Sequence, residues 1–214
     1  MKKLESTLGN MVIVLTLVSL VAAGLLAVMN EVTSEPIRLQ AEQKEANGIK
    51  KVLVIGADEQ VTVAPAETKK VGEQEFIIYK VSGADGKELG AAVKTSVQGF
   101  SPNLTVMVGF DSKGTIKGYE ILSQAETPGL GANVPTWFQE GGKGNVIGMN
   151  PGKDKVSVKK DGGVVEAITA STITSRAFLK AINLEYNALF GAGKAHGNTG
   201  ATQTHGNTGA TSTK

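Results

Sequence analysis

The chain has 214 residues, 41% of them hydrophobic and 20% charged, with a formal net charge of +2, which suffices for one compact core with appendages. This balance lacks the basic excess that phosphate neutralisation requires, and no arginine cluster occurs, so nucleic acid is not an expected partner. Cysteine is absent and both histidines, His196 and His205, fall in a C-terminal repeat, which excludes disulfides, thiolate zinc, cysteine-held iron–sulfur clusters and CxxCH haem attachment; no metal site is expected.

Residues 11–29 (MVIVLTLVSLVAAGLLAVM) carry no charge and no proline and as a helix span roughly 28 Å, enough to cross a bilayer. The competing reading is a cleaved signal peptide. Against it, the run is longer than the apolar part of a signal, and no small-x-small cleavage site precedes Glu31. Lys2 and Lys3 before the span, with Glu31 and Glu35 after it, predict residues 1–10 in the cytoplasm and the bulk of the chain outside. For a bacterial protein this means a single-pass protein of the inner (cytoplasmic) membrane with a periplasmic or extracytoplasmic domain.

Beyond the span, Ser34 is expected to N-cap a second helix with Pro36 in its first turn. Ile37, Ala41, Ile49 and Leu53 lie near one face of it, Gly48 weakens it and Gly56 ends it. Strand signals follow: FIIYKV from Phe76, ELGAAVKTSV after an ADGK turn, LTVMVGF, and TIKGYEIL after a DSKG turn, which predict two successive antiparallel hairpins. KVSVKK and VVEAIT flank a DGG turn at 161–163 and predict a third. A helix then begins, with Ala177, Ala181, Leu184 and Ala188 in one apolar stripe and Phe178, Ile182 and Leu189 beside it. Arg176, Lys180, Asn183 and Asn187 are expected to form its polar face. The fold class is therefore α+β: an antiparallel sheet with packing helices over residues 34–190. Residues 191–214 form a low-complexity tail, HGNTGATQT followed by HGNTGATST, expected to be disordered.

Two segments stand out as candidate sites. TASTITS at 169–175 clusters hydroxyls where the last helix begins; helix capping explains such a run in many proteins. ETPGLG at 126–131 places Pro128 and Gly129 at the central positions of a type II turn. Its glycines, Gly129 and Gly131, would also let backbone approach a flat ring. Trp137 and Phe138 follow; they fit core packing, ring stacking or a partner contact.

In its N-terminal span, its ETPGLG loop and its threonine motif followed by a helix, the chain resembles the FMN-binding G subunit of the Rnf ion-translocating electron-transport complex. More distantly it resembles the C subunit of sodium-translocating NADH:quinone reductase. The likeness covers about residues 1 to 190. It implies FMN joined through its phosphate to a threonine, installed by a transferase that uses FAD, within a pattern like D-x-x-[ST]-G-A-T. Here the aligned residues are Glu166, Thr169, Ala170, Ser171 and the acceptor Thr172, with Glu166, Ala170 and Ser171 departing from the pattern. The resemblance also implies that Glu126, Thr127, Gly129 and Leu130 line the flavin and that Thr174 and Ser175 add hydroxyl donors. Family members commonly carry a GYGG-like element where this chain has Gln98, Gly99, Phe100 and Ser101. Thr202 and Thr211 sit in TGAT tetrapeptides of the tail, but they lack the upstream acid and a following apolar helix and read as decoys. The implied role is an electron-carrying subunit of a membrane complex coupling electron transfer of the ferredoxin/NAD type to Na⁺ or H⁺ translocation, with other membrane and peripheral subunits as partners and no catalytic residues of its own. The alternatives are the quinone-reductase C subunit, or an anchored extracytoplasmic binding module without a redox role.

Overall fold

The computed structural model describes residues 8–56 and 59–191. The N-terminal lysines behind the orientation argument, and the repeat containing His196, Thr202, His205 and Thr211, lie outside the described residues. The chain divides between Ala46 and Asn47 into two units.

A single helix, α1 (Leu8–Val52), makes up the described part of the first unit, continues into the second, and runs through the break expected at Ser34. Its most apolar window has a mean hydropathy of 2.8, long and apolar enough to cross a membrane, with none of it buried by protein. Ser34 does not cap, because the residues before it are already helical: its hydroxyl donates to the Glu31 carbonyl at 3.0 Å, as that of Thr33 does to Met29 at 2.7 Å. Hydroxyls folded back in this way fit inside a helix. Pro36 leaves the Val32 carbonyl without its helical donor. Arg38 binds Glu35 and Glu42, each at 2.7 Å, and supports the turns on either side.

In the second unit the strands are β1 (Val61–Val63), β2 (Glu67–Val71), β3 (Gln74–Gly83), β4 (Glu88–Val97), β5 (Leu104–Phe110) and β6 (Ile116–Ser123). They form one six-stranded antiparallel sheet in the order β1-β3-β4-β5-β6, with β2 also on β3. Alternation along β3 to β5 sends Phe76, Ile78, Val93, Val106 and Val108 to one face and Val81, Ala92 and Met107 to the other.

Ile49 and Val52 in the last turn of α1, with Leu53 just after it, cover the second face. Gly48, expected to weaken a helix, is instead a close-approach point, since a Cβ there would stand 3.3 Å from the Met107 sulfur. Gly109 and Gly118 are paired across β5 and β6. A Cβ on either would meet the Val52 carbonyl at 2.2 or 2.8 Å, so the helix end lies directly on a bare patch of sheet.

The first face is covered by α3 (Thr172–Phe190), the short α2 (Val134–Trp137) and the intervening chain. Phe178 stacks on Phe138 at 4.6 Å and tilts against Tyr119 at 4.7 Å. The third hairpin does not form. Val158 and Val165 make one isolated parallel bridge, and Lys159–Asp161 is a 3-10 turn ended by Gly162 at φ 74°. The apolar alternation that suggested strands belongs to Val156, Val158, Val165 and Ile168, which pin a loop into the core.

α3 is also buried more widely than one stripe. Asn183, expected on the polar face, is fully buried and donates to the carbonyls of Val156 and Leu179, both at 2.7 Å. Glu185 is fully buried too; its carboxyl oxygens make no side-chain hydrogen bond, and burial pushes its pKa well above the ordinary 4.5 despite the nearby Thr95 backbone. Above about pH 4.5 the unfolded chain releases this proton while the folded protein retains it, so this residue makes stability fall as pH rises towards the raised folded value. Glu185→Gln is expected to gain on the wild type in melting temperature as pH rises from about 4 to about 7. An unchanged difference across that range would contradict the assignment.

Candidate functional site

A cavity of about 380 Å³ opens at the N-terminus of α3. Three segments converge on it: Phe100 from the β4–β5 connection; Glu126, Thr127, Leu130 and Gly131 from the loop after β6; and Ala170 to Thr174 from the start of α3. The two segments singled out in the sequence, ETPGLG and TASTITS, therefore face one another across a single site.

The loop is the expected type II turn. The Leu130 amide donates to the Thr127 carbonyl at 3.1 Å across Pro128, and Gly129 has φ 76°. Gly129 shapes the turn rather than lining the cavity, and its carbonyl accepts from Asn133. Leu130 stands at the rim, 39% exposed, beside Ile173 at 55% and Phe100 at 67%.

At the floor the hydroxyls are committed one by one. Ser171 donates to Thr174 Oγ1 at 3.0 Å, and Thr174 donates to Glu126 Oε2 at 2.7 Å. Glu126 Oε1 accepts from the Ser101 amide at 3.1 Å. Ser175 points into the protein, away from the cavity: it donates to the Ser171 carbonyl and accepts from the Ile168 amide, both at 2.9 Å. Thr172 is half-buried, and among the described residues its hydroxyl makes no hydrogen bond. Capping does not account for the run either. Ser171 occupies the N-cap position without a side-chain capping bond, so the first amides of α3 have neither a side-chain cap nor an intrahelical acceptor.

Ala170 holds the left-handed conformation, φ 59°, at the position where the family pattern carries glycine. A residue with a Cβ is strained there. Ala170→Gly is expected to stabilise the protein by about 1 kcal/mol, read as a raised denaturation midpoint; a lowered midpoint would contradict the strain.

Several residues lie elsewhere. Glu166, aligned with the acid of the pattern, pairs with Lys159 at 2.7 Å on the surface, and Lys159 holds its carboxyl below the usual range. Trp137 donates to the Glu166 carbonyl at 3.0 Å with Lys143 over its ring, while Phe138 is core; neither lines the cavity. In the sequence Phe100 and Ser101 stand only as the counterpart of a GYGG-like element and Ile173 only as part of TASTITS, with no site role for any of them. The aromatic in an otherwise polar turn is the signal that Phe100 offered.

A cavity combining open helix amides, an uncommitted hydroxyl and an apolar rim suits a phosphorylated, flat-ringed ligand, and residues 99–187 match the FMN-binding domain family. The chain is 31% identical over 180 residues to the G subunit of the ion-translocating oxidoreductase complex of Shewanella oneidensis, covering 79% of this chain and 84% of that one. It is 30% identical to the corresponding G subunit from Methanosarcina acetivorans, covering 81% and 90%. To the G subunit of the Na(+)-translocating ferredoxin:NAD(+) oxidoreductase complex of Acetobacterium woodii it is 29% identical, covering 79% and 84%. The chain belongs to the family of G subunits of ion-translocating oxidoreductase complexes.

Proposed function

We propose that Thr172 carries FMN through a phosphoester to its hydroxyl, and that the chain is an electron-carrying subunit of a membrane complex coupling ferredoxin/NAD-type electron transfer to export of Na⁺ or H⁺. The observation that carries this reading is that, of the three hydroxyls of the run that line the cavity, Ser171 and Thr174 are bonded to one another and to Glu126 while that of Thr172 is uncommitted; Thr169 lies outside the lining. The residues present fit the group. The first-turn amides of α3 and its dipole favour the phosphate charge. Phe100, Leu130 and Ile173 offer apolar contact to the ring, and Thr127 offers a polar one.

When bound, the flavin supplies reversible uptake and release of electrons. The chain holds it in place and shields it from water, and contributes no acid, base or nucleophile. A covalent tether keeps the cofactor at high effective concentration beside its redox partners, the other subunits of the complex. Residues 11–29 cross the membrane with residues 1–10 in the cytoplasm and the FMN-binding domain, residues 34–190, outside, where a transferase installs the cofactor. The name of the Acetobacterium relative supports the ferredoxin, NAD and Na⁺ chemistry for that protein.

Intact-mass spectrometry tests the reading. Protein from cells containing the transferase is expected to be heavier than the unmodified chain by roughly 0.44 kDa, FMN less water. An unmodified mass from such cells would favour a binding module without a redox role.

A further inference from the structure

Among the described residues Glu126 is the one charged residue lining the cavity; the other lining residues are apolar, hydroxyl-bearing or glycine. It is 7% exposed and forms none of the ion pairs among the described residues. Its carboxylate is fixed from two sides by donors, the Ser101 amide and the Thr174 hydroxyl, so both oxygens serve as acceptors. Two glycines give it room: a Cβ on Gly99 would stand 2.2 Å from Oε1 and one on Gly131 2.6 Å from Oε2. A fixed negative charge thus lies at the floor of a small, largely apolar cavity with no cation in the lining among the described residues. Charges walled in this way act at low effective dielectric and are weakly screened by salt.

The geometry points to Glu126 as the residue that sets the reduction potential of the cofactor held at Thr172, its charge disfavouring the electron-rich form. This rests on the flavin reading of Thr172. In the titration below the electrode supplies the two electrons and water the protons; Glu126 neither forms nor breaks a bond. It acts through its field, as a positioning and electrostatic residue. The N-terminus of α3, whose dipole favours negative charge, faces both the phosphate and Glu126, which Thr174 of its first turn holds.

The test is a spectroelectrochemical titration of the full-length, detergent-solubilised protein matured with its transferase. Glu126→Gln is expected to raise the midpoint potential by a tenfold change in the two-electron equilibrium, about 30 mV. Glu126→Asp, which keeps the charge, stays closer to the wild type. Thr174→Val keeps the charge and removes one hydrogen bond, and is also expected to stay near the wild type; a shift as large as that of Glu126→Gln would assign the effect to geometry and overturn the inference. Thr127→Lys adds a cation at the exposed edge of the same floor and is expected to raise the potential, which keeps the inference testable if Glu126→Gln fails to load flavin. An unmoved potential in Glu126→Gln, or in Thr127→Lys if the first does not load, overturns it. Peptide mapping separates the two levels: a wild type with no flavin on Thr172 refutes the parent reading, whereas flavin on Thr172 with unmoved potentials refutes only the role of Glu126.

Discussion

Thr172→Ala is expected to give a folded protein with no covalent flavin, seen as loss of in-gel flavin fluorescence after denaturing electrophoresis. The effect is all-or-none because the phosphoester needs an oxygen at this position. Of the neighbouring hydroxyls, Ser171, Thr174 and Ser175 are engaged in hydrogen bonds and Thr169 does not line the cavity. The fold should survive, since Thr172 is half-buried in the first helical turn and contributes no side-chain hydrogen bond. Alanine also favours the helix by up to about 0.7 kcal/mol. Retained fluorescence in a correctly folded variant refutes the assignment.

Phe178→Ala is expected to destabilise the domain by about 3–5 kcal/mol, the usual cost of truncating a fully buried aromatic. Phe178 is fully buried where α3 meets the first face of the sheet, stacked on Phe138 with ring planes 23° apart and in contact with Tyr119. A cavity there removes the contacts that hold the helix carrying Thr172. Set against a total stability of about 5–15 kcal/mol, the loss should make loading with FMN fail at growth temperature even though residue 172 is untouched. Urea unfolding followed by the fluorescence of Trp137, the sole tryptophan, reads the change. A loss under about 1 kcal/mol would show that α3 is held by other contacts.

These two substitutions draw on what the sequence made legible. β3 to β6 could be read because alternation of period two was bounded by ADGK and DSKG turns, and both hairpins formed in the expected pairing. The PG turn could be read because proline and glycine leave little choice of backbone at its centre. α3 could be read from its apolar spacing, although its breadth of burial could not: Asn183 and Glu185 look like surface residues until the chain around Val156 and Thr95 is in place. The same local logic misread Val156, Val158 and Val165, whose alternation serves a pinned loop, and Ser34, whose capping role vanished once the preceding helix ran on into it. Both errors share a cause, since short patterns do not say which neighbours will supply the hydrogen bonds.

The local pattern showed the candidate site as two motifs, and only the family resemblance put both on one flavin. Nothing in the local pattern says that Glu126 will meet Thr174, a pairing across 48 positions, or that Ser101 will hold the opposite carboxylate oxygen. Likewise the exposed Phe100 acquires meaning only when the β4–β5 connection is seen opposite Ile173. Ala170 shows the reverse relation: the pattern asked for glycine, and the backbone shows why, because the chain turns there through a left-handed conformation.

Tandem mass spectrometry of the tryptic peptide spanning residues 161–176, from protein matured in cells that contain the transferase, tests the central claim most directly. The account predicts a fragment series that carries the riboflavin-phosphate mass from Thr172 onward and not on Ser171 or Thr174. An unmodified peptide, or the same mass on Thr202 or Thr211 of the tail, would contradict it.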